Sequence, residues 1–410
     1  MLCSSQYKSI ERGNADVGYC LESTPDYRVR IFQKLQDVPA DWETAQPAAN
    51  IFLQRPYLSV VEAHPPKGYN FAYLIFYRNE QPVGVCYCQL LEFKTDGALR
   101  EENTDTALSK AANFFKGFLI KKLSIKLLIC GNALLTGEHG FYFKEGISSE
   151  KQFALIADAM NTVREYYAEK GEKLRGFFIK DFPADRLKAC GEFEKRDFHR
   201  VHFQPNMVMD IPVEWKTYDD YMAAFSSKYR TRARRAFKKG GDFVKREMTK
   251  EHIRAEQKRI FELYQGIEKG AGFSFAHLNP GYFCGLKDAL GPDFSLTGYW
   301  LDDKLVGFYT TIKNGKELEA HFIGFESQLN RTHQIYLNML YDMVAQGIEK
   351  GAEHIVFART ASEIKSSVGA VAEEMYCYTR HHHDLPNRFV PKIFSYLTPT
   401  EEWTPRNPFN

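Results

Sequence analysis

A short stretch near residue 77 is written again near residue 300, and this repetition limits the possible folds more than any other feature of the sequence. Tyr77-Arg78-Asn79-Glu80-Gln81-Pro82-Val83-Gly84 aligns without a gap on Trp300-Leu301-Asp302-Asp303-Lys304-Leu305-Val306-Gly307. In each copy a β-rich run enters a polar turn and a second β-rich run leaves it, Leu74 to Tyr77 into Val83 to Leu91 and Leu296 to Leu301 into Val306 to Ile312. Each copy predicts a hairpin. The order downstream repeats as well. In the first half a strand at Lys126 to Cys130, a helix from Gln152 to Lys170 capped by Gly171, and a strand at Gly176 to Lys180 follow one another. In the second half the series is Leu318 to Phe325, a helix from Gln334 to Lys350 capped by Gly351, and His354 to Arg359. Tyr336, Leu340, Met343, Val344 and Ile348 form one stripe on that helix, which predicts that it packs on a sheet.

Two copies of one α/β unit of α+β character follow, each a mixed twisted sheet flanked by helices. A chain of 410 residues suits two such cores better than one. The expected organisation is an N-terminal tail over 1–25, a first domain over 26–209, a second over 210–397 and a C-terminal tail over 398–410. The seam falls near Asp210-Ile211-Pro212.

Lys and Arg number 54 against 52 Asp and Glu, a net charge of +2, which excludes the global excess of a protein built around DNA. Any electrostatic function is therefore local. The 32 Phe and 23 Tyr exclude large-scale disorder and either fill two cores or line a cleft for an acyl chain. Cysteines at 3, 20, 86, 88, 130, 190, 284 and 377 include no C-x-x-C pair, so a reducing cytoplasm and no metal site are expected. Met1-Leu2-Cys3-Ser4-Ser5 does not begin a signal peptide, and no run approaches 18 apolar residues. The expected location is the cytoplasm, including peripheral contact at the inner face of the membrane. His381-His382-His383 is a poor metal site, because neighbours on a strand point to opposite faces.

Four segments carry candidate chemistry. Glu317 to Gly324 alternates, placing Leu318, Ala320 and Phe322 on one face and Glu317, Glu319 and His321 on the other. Same-face neighbours lie roughly 6 to 7 Å apart, so His321 is a candidate general base and Glu319 its partner or the alternative base; a solvated sheet face is the other reading. The turn Gly131 to Gly140 follows a strand, so Gly137 and Gly140 present amides to a phosphate or mark only a tight turn, while Glu138 and His139 add an acid/base pair. Lys228, Arg230, Arg232, Arg234, Arg235, Lys238 and Lys239 form a basic helix suited to a phosphate-bearing substrate, an anionic membrane or RNA, or left without a partner. Leu108 to Leu123 reads as a helix on its own sheet or at a membrane interface.

The repeated order resembles the GNAT N-acetyltransferase fold in tandem. Residues from about His202 to His383 resemble the peptidoglycan biosynthesis/recognition acyltransferase-like family, related to the FemABX aminoacyltransferases. Phe203-Gln204-Pro205-Asn206, Tyr218-Asp219-Asp220-Tyr221 and Ser226-Ser227-Lys228-Tyr229-Arg230 with Arg234-Arg235 carry the likeness. Phe357-Ala358-Arg359, Lys365 and Val368-Gly369-Ala370 follow the family's strand-to-loop pattern, and the loop Leu134 to Gly140 is similar too.

The resemblance implies acyl transfer from a thioester, acyl-CoA or acetyl-CoA, to the amine of a cell-envelope precursor or a lipid such as a sphingoid base. Arg359 and Lys365 would bind a negatively charged substrate group and Lys228 and Arg230 a phosphate. The glycine-paired turn usual after the fourth strand is absent, since Phe325 to His333 contains Gln328 and Arg331 but no glycine pair. Two other readings stay open: transfer from aminoacyl-tRNA with the basic helix as docking element, and a recognition module that keeps the fold without the chemistry.

Overall fold

The computed structural model describes residues 18–46, 50–94, 124–269, 277–397 and 403–409. The helix expected at Leu108 to Leu123 lies outside the described residues. Both predicted hairpins form: β3 (Tyr69–Arg78) turns into β4 (Gln81–Lys94), and β11 (Phe294–Leu301) into β12 (Lys304–Asn314). The turn residues have positive φ in both, 50° and 59° at Asn79-Glu80 and 49° and 59° at Asp302-Asp303. These are type I′ turns, whose twist matches that of the strands. Pairing is irregular between Phe76 and Tyr77 in the first hairpin and between Tyr299 and Trp300 in the second. Tyr77 and Trp300 are aligned in the sequence repeat, so the duplication reaches down to the bulge.

The first sheet has the order β1 (Tyr19–Leu21), β2 (Thr24–Phe32), β3, β4, β5 (Ser124–Cys130), β7 (Gly176–Pro183), β16 (Met375–His381), β8 (His199–His202), with β6 (Phe141–Phe143) also on β4. The second runs β10 (Val244–Glu247), β11, β12, β13 (Glu317–Phe325), β14 (His354–Val356), β9 (Asn206–Asp210), β15 (Val371–Glu373). The parallel pairs are β5 with β7 and β13 with β14, each bridged by a crossover helix, Ser149–Glu169 and Ile335–Glu349. Ser148 caps the first, its hydroxyl accepting from the Lys151 N–H at 3.3 Å, and Gly171 and Gly351 follow the two helices at φ 81° and 59°.

The chain passes between the sheets twice. It leaves β8 for β9 after His202 and leaves β15 for β16 at Glu374, and the side chains of His202 and Glu374 pair at this double crossing. Neither sheet therefore stays on one side of the seam expected at Asp210: β9 precedes it yet belongs to the second sheet, and β16 follows it yet belongs to the first. Tyr19–Leu21 is already an edge strand, so the N-terminal tail expected through residue 25 ends earlier. At the other terminus Phe409 packs on Trp215, Tyr221 and Phe225, and Pro408 accepts from the Ser226 N–H at 2.9 Å.

The aromatic residues fill three cores. One lies behind the first sheet under Ser149–Glu169, one behind the second under Ile335–Glu349. The third lies between the sheets, where the helices Arg55–Ala63 and Tyr282–Leu290 meet. Those helices approach closely because a Cβ at Gly285 would stand 3.0 Å from Val60 and 2.9 Å from His64.

One buried carboxylate ties these parts together. Asp181 occupies a bulge of β7 opposite Cys377, in left-handed conformation at φ 65°, and is fully buried. It receives the Gly137 N–H at 3.1 Å, the Cys377 thiol at 3.2 Å, the Lys180 ammonium at 3.1 Å and the Arg359 guanidinium. Burial alone would raise its pKa, but Lys180 and Arg359 outweigh burial and hold the carboxyl well below the usual range. Asp181→Asn leaves two buried cations short of a counter-charge, and we expect a loss of roughly 3–5 kcal/mol at neutral pH. Because the folded-state pKa is depressed, the difference from wild type is fully present above about pH 4 and shrinks as acid protonates the carboxylate. Urea unfolding at pH 7 and pH 3 checks this; equal midpoints at pH 7 would refute it.

Candidate active site

The two parallel strand pairs differ in how far they stay together. In the first sheet β5 remains paired to its last residue, Cys130 with Ile179. In the second, β13 and β14 pair only from Glu317–His354 to Glu319–Val356, although β13 continues to Phe325. Past Val356 the chain departs through Ala358, Thr360 and Ala361 at φ 59°, 68° and 52°, values unfavourable for non-glycine residues. Lys365 holds this turn by donating to the carbonyls of Phe357, Ala358 and Arg359 at 2.6, 3.1 and 2.7 Å. The short helix bearing Lys365 is clasped in turn by Arg406, whose N–H donates to the Ser366 hydroxyl and whose guanidinium pairs with Glu363.

The gap between the diverging strands is a cavity of about 250 Å³. Tyr264, Phe322, Tyr336, Leu340, Met343 and Phe357 give it an apolar wall, and His321, Arg359, Thr360 and Lys365 add polar groups. The stripe Tyr336, Leu340 and Met343 predicted on the crossover helix is thus one of its walls.

The expected alternation of Glu317, Glu319 and His321 is interrupted by a bulge. Tyr309 pairs with Ile323 and Thr311 with Ala320, so Thr310 faces both His321 and Phe322. The buried Thr310 hydroxyl accepts from the Phe322 N–H at 2.8 Å and donates to its carbonyl at 3.0 Å, satisfying both groups freed by the bulge. His321 is carried away from Glu319 to the phenol of Tyr282, 2.8 Å from Nε2. Burial pushes its imidazole pKa down to about 3, so it is neutral at physiological pH.

The partner of Glu319 is His139, at 3.5 Å, and the two come from opposite halves of the chain. Both are buried, His139 at 8% and Glu319 at 5% exposure, and His139 Nδ1 and Glu319 Oε1 have no hydrogen-bond partner among the described residues. Burial lowers the His139 pKa, but Glu319, with Glu317 and Asp181, outweighs it and leaves a net rise. Burial, then Glu319, raises the pKa of Glu317. The His139 imidazole and the Glu317 carboxyl thus both have proton affinities raised above their ordinary values.

Four expectations require correction. Glu138 does not act with His139: it pairs with Arg186 at 3.1 Å, and burial, more than Arg186 opposes, pushes its carboxyl up to about 7. The phosphate cradle expected at Gly137 and Gly140 loses the Gly137 amide, because most of the loop's amides turn inward. Those of Gly131, Ala133, Leu134, Leu135, Gly137 and His139 all have acceptors inside the protein. Gly137, at φ 117°, instead makes room for His139, whose Nε2 would lie 2.7 Å from a Cβ there. A Cβ at Gly140 would meet Gly131 at 2.7 Å. Arg230 turns back to donate to the carbonyls of Met222, Ala223 and Phe225, ending the helix Tyr218–Ala224 rather than facing an anion. Lys365 is committed to carbonyls, and burial pulls its ammonium down to about 7.

Arg359 lines the cavity while bound to Asp181. Lys228 is exposed, 5.7 Å from the ring of Tyr229. Sequence reasoning missed Tyr57, Asn132 and Tyr282, ordinary residues far apart in the chain. Among the described residues the one group able to hold a metal is Cys86, Cys88 and Cys130, buried in the core behind the first sheet and outside the cavity.

No curated protein matches the chain in sequence. Among solved structures, a tandem GNAT protein from the clavulanic acid biosynthesis pathway is 9% identical, with 86% of this chain and 98% of that one covered at a TM-score of 0.49. FemX is 14% identical over 78% of this chain and 94% of its own, TM-score 0.46. L-PGS from Bacillus licheniformis is 9% identical over 86% and 97%, TM-score 0.44. The family model described as acetyltransferase (GNAT) domain matches residues 227–366, and every residue lining the cavity falls inside that match.

Proposed function

We propose that the protein is an N-acyltransferase that holds an acyl thioester in the cavity between β13 and the turn Phe357 to Ala361 and transfers the acyl group to an amine. The separation of β13 from β14 within the matched segment carries this reading. An open parallel pair leaves strand edge and apolar wall for the arm of a thioester, while the closed pair of the first sheet leaves none. In the reaction the acceptor ammonium gives up a proton, its nitrogen attacks the thioester carbonyl carbon, and the carbonyl π pair moves to oxygen. The attacking nitrogen sheds its second proton as collapse re-forms the carbonyl and expels the thiolate, which takes up a proton. Glu319 with His139 is the base of this scheme.

The donor proposed is acyl-CoA, with its phosphates beside the first turn of Ile335–Glu349 and not at Lys228 and Arg230. Two features support that placement. Asn338 donates to the Ala236 carbonyl at 3.0 Å, docking the basic helix Ser227–Lys239 against this turn. Lys238 and Lys239 lie at the near end of that helix, exposed and without an ion pair among the described residues. Arg359 is the proposed contact for a negatively charged group of the acceptor. We favour an amine at a membrane surface, because Leu385, Phe389 and Ile393 are exposed at i, i+4 and i+8 beside Arg388. No helix among the described residues is long and apolar enough to cross a membrane.

Mass spectrometry of co-purifying molecules, followed by thiol release from an acyl-CoA series with lipid and cell-envelope amines, tests the reaction. Acyl-CoA is expected to raise the thermal midpoint, and Lys238→Glu with Lys239→Glu to raise KM with little change in kcat. No shift with any acyl-CoA, but a shift with aminoacyl-tRNA, would replace this donor with the FemABX-like one. Glu319→Gln is expected to lower kcat roughly 10²- to 10⁴-fold. In wild type kcat/KM should rise with pH through a value above that of an ordinary histidine. Since Glu319 holds the His139 proton, the limb should move to lower pH in Glu319→Gln; an unmoved limb would refute the pairing.

A further inference from the structure

A chain of buried hydrogen bonds runs from the first sheet into the cavity, and its polarity can be read from its backbone ends. The Ala133 N–H donates to Gln89 Oε1 at 2.7 Å and the Leu134 N–H to Asn132 Oδ1 at 3.0 Å. A backbone amide can only donate, so both side-chain carbonyls are fixed and both amide nitrogens face the other way. Gln89 Nε2 then donates to Tyr87 and to Asn132 Oδ1, each at 3.1 Å, and Asn132 Nδ2 donates to the Tyr57 oxygen at 3.0 Å. Tyr57 is fully buried, and the oxygen of Tyr282 at 3.3 Å is the acceptor within reach of its hydroxyl proton. Tyr282 must in turn donate to His321 Nε2 at 2.8 Å. The opposite direction strands the Tyr57 proton in the core with no acceptor.

We infer that this relay holds His321 as its Nδ1–H tautomer, so that His321 serves the site as a hydrogen-bond donor and not as the base. Nε2 is taken by Tyr282. Nδ1 has no protein partner among the described residues and does not number among the buried unpartnered atoms, so it stays accessible on a residue that lines the cavity. Resting on the acyl-transfer reading, the inference gives Nδ1–H to the thioester carbonyl, where negative charge grows as the amine adds. Asn132, Tyr57 and Tyr282 are positioning residues, and the two halves of the duplication act on one reacting atom.

The tautomer is testable without any activity. Protein labelled with ¹⁵N-histidine, with His321 assigned by loss of its signal in His321→Asn, should give long-range ¹H–¹⁵N correlations of an Nδ1–H ring. A predominant Nε2–H ring would overturn the proposal. Tyr57→Phe removes the donor to Tyr282 and should convert the single form to a mixture, and Tyr282→Phe should do the same. An unchanged pattern in both, with native circular dichroism, would also overturn it. In turnover, His321→Asn keeps an N–H near the Nδ1 position and should stay within about 10-fold of wild type, while His321→Ala should fall roughly 10²- to 10³-fold; equal losses would assign the base role instead. Failure of the acyl-transfer reading appears differently, as absent turnover in wild type with the Nδ1–H signature intact.

Discussion

A single carboxylate with no exposed surface sets the relation of the two halves. Asp181 accepts from Gly137, Cys377, Lys180 and Arg359, groups on a loop, two strands and the turn beside the cavity. An ionised carboxylate offers about four lone-pair sites, and four donors arrive. Remove it and two cations, a thiol and an amide lose their common acceptor, which is why such a residue tolerates a left-handed backbone. Its geometry reaches the site by two routes. Through Gly137 it fixes the loop that carries His139, and through Arg359 it fixes the turn that opens the cavity.

The duplication has not left two equal halves. Hairpins, crossover helices and turn types are repeated, but the parallel pair is closed in one sheet and open in the other. In the first, Gly131 continues into the protein by donating to the Tyr87 carbonyl at 3.1 Å, which leaves nothing to diverge. In the second, the carbonyls of Phe357, Ala358 and Arg359, just past the end of β14, are gathered by Lys365. The first half therefore contributes an inward-folded loop to a site whose opening belongs to the second.

Local signals made much of this legible in the sequence. A polar pair between two β-rich runs is enough to specify a hairpin, and an apolar stripe is enough to specify the buried face of Ile335–Glu349. What escaped depended on neighbours distant in the chain. The bulge that separates His321 from Glu319 is filled by Thr310 on the adjacent strand, so alternation within β13 alone predicts the wrong partner. The exchange of β9 and β16 between sheets leaves no mark in short strands whose pattern suits either sheet. Arg230 was visible as part of a basic helix, but its turn toward three carbonyls is decided by where Tyr218–Ala224 ends. Glu319 and His139 were each visible from residue type, yet nothing local joins residues from two halves.

The site sets a saturated polar system beside an unsaturated one. From Gln89 through Tyr282 each link sets a donor against an acceptor, and such a chain resists rearrangement because reversing one link strands a proton in the core. Nearby, among the described residues, His139 Nδ1 is buried without a hydrogen-bond partner and Glu319 Oε1 has only an ion-pair contact with His139 Nε2, at 3.5 Å. Folding alone does not favour that arrangement, since an unsatisfied buried group costs about 1–3 kcal/mol. A ligand or a transferred proton can satisfy the atoms left open, whereas the relay leaves only its terminal His321 Nδ1 to meet a ligand. The same contrast agrees with the proposed roles, the relay fixing a direction at His321 and the open pair being free to exchange a proton.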